Sequence, residues 1–240
     1  MLPCGTVVFM PRRPRVNLAG QAYHVINRAV ARDAVFLKDE DYAAFEKVLA
    51  DVHQRLPMRI IAYCLMPNHW HLVLWPAADG DLSEFMRLVT VTHTQRWHAH
   101  YHSSGTGPVY QGRFKSFPIQ RDEHLVKVVR YVERNALRAG KVERAEDWPW
   151  GSLSKREGER ESGQACPWLL PLNQWPVDRP ANWVRTVNAV ESTKELAAIR
   201  RSLKHGRPYG SDAWETRTAK AIGLPARLRP PGRPRKKPKE

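Results

Sequence analysis

Acidic residues are scarce in this chain. Against 39 Lys and Arg stand 24 Asp and Glu, which leaves a formal charge of +15 with the ten histidines neutral. A surface so cationic argues against basic partners and makes a polyanion the first suspect. Cysteine is sparse too: Cys4, Cys64 and Cys166 are odd in number, far apart and without a CxxC pair. That excludes a disulfide framework and a thiolate zinc site, and it makes a reducing cytoplasm the expected compartment. Long apolar runs are missing. Nothing approaches the roughly 20 residues that cross a bilayer, and Arg12, Arg13 and Arg15 follow the first apolar residues instead of preceding them as in a signal peptide. No membrane partner is expected. What remains, 42% hydrophobic and 26% charged over 240 residues, suffices for a buried core and is neither fibrous nor disordered in composition.

Breakers set the organisation. Gly158, Gly163, Pro167, Pro171, Pro176 and Pro180 interrupt any long period, so residues 151–180 read as a linker after a main domain at 10–150. Within that domain, 21–28 and 58–66 are β-rich, while 38–54 carries Tyr42, Phe45, Val48, Leu49 and Val52 at helical spacing. Pro67-Asn68 makes a turn into 69–75, whose alternation sends His69, His71, Val73 and Trp75 one way and Trp70, Leu72 and Leu74 the other. A helix over 81–101, a strand over 109–119 carrying Arg113 and Lys115, and a helix from Asp122 to near Gly140 complete the series. The order predicts an α+β fold, a ferredoxin-like βαββαβ sheet with helices on one face plus one further helix.

Ser192-x-x-Glu195 and Asp212-x-x-Glu215 each mark a helix start. Residues 181–225 therefore read as a small helical extension, either a DNA-binding appendage or a hairpin packed on the main domain. The tail 226–240 sets seven Lys and Arg, among them Arg233 and Arg235, against Glu240 and is expected to be disordered when free. Its Gly232-Arg233-Pro234 is compatible with an arginine laid in a minor groove or with a generic phosphate-neutralising arm.

Three sets of residues carry chemistry. His69 and His71, at i and i+2 of a strand, project from one face and can share an ion. Tyr131 and Asn135, four apart on a helix, present a phenol and an amide carbonyl together; Tyr131 fits equally as a half-buried packing residue. His98 and His102 at a helix end admit zinc or a solvated terminus. Phosphate contacts are expected from Arg113, Lys115, Arg130, Arg134, Arg138 and the tail, Arg233 and Arg235 included. Trp97, Trp148 and Trp150 are candidates to stack on unpaired bases, whereas Trp70 faces away from the histidines.

The segments Tyr23-His24-Val25-Ile26-Asn27-Arg28, Met66-Pro67-Asn68-His69-Trp70-His71-Leu72, Gln111-Gly112-Arg113-Phe114-Lys115-Ser116, Arg130-Tyr131-Val132-Glu133-Arg134-Asn135 and Arg138-Ala139-Gly140 lie in an order and spacing that resembles the REP-associated tyrosine transposases. These belong to the IS200/IS605-like single-tyrosine HUH group. The resemblance implies that His69 and His71 are metal ligands, Asn135 the third, and Tyr131 the nucleophile. It implies magnesium or manganese as cofactor, although imidazoles alone would also accept zinc. It further implies hairpin single-stranded DNA of repetitive extragenic palindromes as partner, cut through a 5′-phosphotyrosine, with the protein near the nucleoid as monomer or homodimer. One departure stands out: Asn135-Ala136 replaces the family's Asn-Pro and removes a helix stop. Members begin near a position matching Met10, so 1–9 is expected to be an extension. Two rival readings are a non-catalytic hairpin-binding regulator and a zinc phosphoesterase at His98 and His102.

Overall fold

The computed structural model describes residues 17–224. The N-terminal extension and the basic tail, with Arg233 and Arg235, lie outside the described residues. Four strands, β1 (Ala22–Arg28), β2 (Arg59–Met66), β3 (His69–Trp75) and β4 (Lys115–Ile119), form one antiparallel sheet in the order β2-β3-β1-β4. Helix α1 (Asp39–Arg55) joins β1 to β2, and α2 (Asp81–His100) joins β3 to β4. Then come α3 (Glu123–Glu133), the single turn α4 (Asn135–Arg138), α5 (Ser152–Ser162), α6 (Trp183–Asn188), α7 (Thr193–His205) and α8 (Asp212–Ala221). Among the described residues no helix is long and apolar enough to cross a membrane.

The period-2 pattern divides the sheet as expected. Tyr23, Val25, Trp70, Leu72 and Leu74 face α1 and α2 and pack with Phe45, Leu49, Leu82 and Phe85. Each of these large apolar side chains contributes roughly 1.5–3 kcal/mol on burial. The opposite face holds Ala22, Cys64, Val73, Phe117 and Ile119. A bulge at Ile60/Ala62 shifts the β2 register, so Ile61 and Ala62 both join this second core. Helices thus cover both faces and not one. Val128, Val129 and Val132 of α3, Leu153 of α5, Trp183 and Val187 of α6 and Ile199 of α7 form the second layer.

Residues 151–180 are not a linker. Their start is α5; just before it Trp150 O accepts from Leu65 N–H of β2 at 2.8 Å, and after it the chain returns along the same free edge, where Leu170 N–H donates to Ile60 O at 2.8 Å. The other edge is covered as well: Tyr209 N–H donates to Pro118 O and Gln120 N–H to Tyr209 O, both at 2.9 Å. An open edge invites intermolecular pairing, and irregular chain that supplies single bonds closes it despite its prolines. The fit at β4 is close, since a Cβ on Gly210 would meet Gln120 and the Trp214 ring at 2.6 Å. The described part of the extension, residues 181–224, therefore packs on the main domain, with Ile199 fully buried.

The strand expected at 109–119 begins only at Lys115. Gly112, at φ 150°, turns the chain after Tyr110, which makes a lone bridge to Ala29. α3 and α4 meet at Arg134, whose φ of −79° and ψ of −2° are still helical, and Arg138 N–H donates to Arg134 O at 2.9 Å, so without a proline at 136 the chain passes from one helix into the other.

Candidate functional site

The site lies on the second face of the sheet, under α3. In the antiparallel register His71 stands beside Ile26 of β1 and Cys64 of β2, and His69 stands opposite Arg28. His24, two residues before Ile26, shares their face. Its Nε2 is 2.8 Å from Nδ1 of His71, and its ring stacks on Phe117 at 4.9 Å. Tyr131 closes the cluster from above, its ring centroid 5.9 Å from His71 and 6.2 Å from His24. His69 and His71 are 5.1 Å apart, centroid to centroid. The sequence-expected pair and tyrosine therefore come together, with His24 as a third imidazole.

All three rings are held neutral. Burial alone drives His24 down to about 3. Burial, followed by the charges of Arg28 and Arg138, lowers His69 to about 4. His71 is pushed well down by burial first and by its neighbours' charges next. Neutral imidazole is the form that binds a cation. Nδ1 of His69 lies 2.6 Å from Oδ1 of Asn68; a carbonyl can only accept, so Nδ1 carries the proton and Nε2 keeps its lone pair. For His71 the same outcome follows when its Nδ1–H donates to His24. The two imidazoles thus fit a divalent ion.

Asn135 is less suited. It is buried, its Oδ1 accepts from Arg138 Nη2 at 3.2 Å, its Nδ2 has no partner among the described residues, and it makes no hydrogen bond to either histidine. Among the described residues no group of three or more His, Cys, Asp or Glu is placed to hold a metal.

Arg130, Arg134 and Arg138, expected on DNA, are turned inward. They form a ladder at i, i+4 and i+8 against the C-terminal end of α6 and the segment that follows it. Arg130 donates to Ala189 O at 2.6 Å, and Arg134 to Val187 O and Asn188 O at 3.0 and 2.6 Å. Arg138 donates to Glu191 Oε2 at 2.9 Å and to Tyr131 O at 3.2 Å, with Cζ 4.1 Å from the Tyr131 ring centroid. Their side chains are 13–17% exposed. Arg113 and Lys115, in contrast, stay exposed on a cleft beside the site. Glu133 secures α3 from behind: Ser152 O–H and Trp183 Nε1–H donate to its two oxygens at 2.7 and 2.6 Å, and burial raises its pKa.

The second histidine pair does not form a site. α2 stops at His100, and His98 instead pairs with Ser103 Oγ at 2.9 Å. Trp148 and Trp150 pack on Tyr42, and Trp97 donates to Val35 O, so these rings serve the core. Sequence reasoning missed His24 and Glu191. His24 sat in a quoted motif and at an alternating strand position, which was a usable signal. Glu191 had none.

Residues 17–135 match the family model described as IS200-like transposase. A protein of Haemophilus influenzae described as a REP-associated tyrosine transposase is 24% identical over 122 residues, 46% of this chain and 68% of that one. The structure of a REP-associated tyrosine transposase bound to a REP hairpin has the same fold, with a TM-score of 0.53 at 21% identity, over 63% of this chain and 87% of that one. Through the domain that holds both histidines and the tyrosine, this chain is similar to the IS200-like transposases.

Proposed function

We propose that the protein is a metal-dependent single-stranded DNA endonuclease and strand transferase that acts on hairpin DNA in the cytoplasm through Tyr131. The observation that carries this reading is the seating of the Tyr131 ring against neutral His71, which shares its sheet face with neutral His69. The Tyr131 oxygen bonds to phosphorus and the P–O3′ bond breaks. The departing 3′ oxygen takes up a proton, which leaves a 5′-phosphotyrosine and a free 3′-hydroxyl. Attack by another 3′-hydroxyl on the phosphotyrosine reverses the step and rejoins strands without an external energy source. Magnesium or manganese at His69 and His71 would offset charge on the scissile phosphate. Arg138, stacked on the Tyr131 ring and bonded to its carbonyl, holds the nucleophile in place, and Glu191 holds Arg138. Asn135 can join the ligand set only by turning its oxygen away from Arg138.

The test is cleavage of labelled hairpin DNA by wild type and Tyr131→Phe, with and without manganese. Metal-dependent cleavage that Tyr131→Phe abolishes, with binding kept, is expected. Binding without cleavage on hairpins of every sequence tried would establish instead a regulator with an idle centre.

A further inference from the structure

A cleft of about 810 Å³ runs from the end of β1 and the start of β4 to α7. Six cations line it: Arg28 on β1, Arg32 in the following turn, Arg113 and Lys115 at the start of β4, and Arg200 and Lys204 one turn apart on α7. Among the described residues no acidic and no aromatic one lines it, and none of the six is in an ion pair. Arg28 Nε is buried and has no hydrogen-bond partner among the described residues. Arg28 stands opposite His69 in the sheet, which puts one wall of the cleft next to the histidine cluster. Six uncompensated charges around one concavity repel each other, and a polyanion threaded among them relieves that repulsion.

We propose that α7, which lies outside the matched region 17–135, completes a binding cleft for the sugar–phosphate backbone of the unpaired strand that leads to Tyr131, with Arg200 and Lys204 as the added contacts. This rests on the reading that the chain acts on single-stranded DNA. Because no aromatic ring lines the cleft, it grips phosphates and not bases, and its contribution is independent of sequence. Both α7 side chains are exposed, so their loss leaves the fold intact.

The test is equilibrium binding of a fluorescent oligothymidine of about 12 nucleotides across a salt series. It uses full-length Tyr131→Phe protein without metal, so that nothing is cleaved. With six single-strand phosphate contacts, affinity falls roughly 300-fold between 50 and 200 mM salt; with four, as in the Arg200→Gln/Lys204→Gln protein, it falls roughly 50-fold, and the log–log slope drops by about 1.4. A mixed-sequence strand should show the same drop. The control Lys47→Gln/Arg87→Gln removes equal charge from α1 and α2 and should leave the slope near that of the parent. An unchanged slope in the α7 variant, an equal drop in the control, or a drop seen with duplex but not with single strand would overturn the proposal. Loss of covalent cleavage chemistry at Tyr131 would be seen only in the separate assay with wild type and metal, and would sink the functional reading without touching this binding result.

Discussion

Removing the Glu191 carboxylate probes how the segment after α6 holds the site. Glu191 is buried, with its side chain 1% exposed, and it meets Arg138 at 2.9 Å and Arg134 at 3.6 Å. Breaking a fully buried pair costs about 3–5 kcal/mol. Here both arginines keep some exposure and their bonds to carbonyls, so Glu191→Ala should destabilise by about 2–3 kcal/mol. For a chain of this size that lowers Tm by about 4–12 °C. Glu191→Gln retains an acceptor and should cost about 1 kcal/mol. Because Arg138 touches Tyr131 and Asn135, both variants should also lower kcat for strand cleavage with KM little changed. Urea denaturation and single-turnover cleavage measure the two effects, and a cycle with Arg138→Met should give a coupling above roughly 1 kcal/mol. A Glu191→Ala protein within about 0.5 kcal/mol of wild type, with unaltered kcat, would refute the argument.

Acid should unfold the protein early. Burial lowers His93 to about 4, and its Nδ1 accepts from Tyr110 O–H at 2.8 Å while Trp70 Nε1–H donates to the same phenol oxygen at 3.0 Å. A histidine kept neutral in the fold costs stability as pH falls below its unfolded value of about 6.5, by about 1.4 kcal/mol per pH unit until its folded pKa is passed. Denaturation at pH 7, 5.5 and 4.5, values chosen to span about that range, should show this slope, reduced by one proton's worth in His93→Gln; a flat profile would contradict it. Gly210→Val should loosen the 206–211 segment from β4, seen as faster hydrogen exchange at Gln120, since Gln120 and Trp214 leave no room for a side chain. His69→Ala with His71→Ala should abolish manganese binding in calorimetry with the fold kept, and equal binding in the double variant would remove these residues as ligands.

Much of this was legible in the chain. The alternation at His69–Trp75 placed both histidines on one face and Trp70 in the opposite core, and helical spacing placed α1 and α2 within a residue or so. The pairing of β1 with β3, which brings His24 to His71, depends on tertiary register that no local pattern states. Glycine and proline between 151 and 180 suggested a linker because breakers exclude regular elements; they do not exclude chain that closes a sheet edge one bond at a time. The spacing of Arg130, Arg134 and Arg138 fits phosphates and backbone carbonyls equally, and the segment that takes them lies about 50 residues on in sequence, out of reach of any local reading.

The most direct test of the central claim is to trap the protein on labelled hairpin DNA with manganese, digest with trypsin and locate the nucleotide by mass spectrometry. Cleavage after Arg130 and Arg134 isolates Tyr131-Val132-Glu133-Arg134. The account predicts a phosphodiester-linked nucleotide on that peptide. Attachment to any other peptide, or cleaved DNA with no covalent adduct at all, would contradict it.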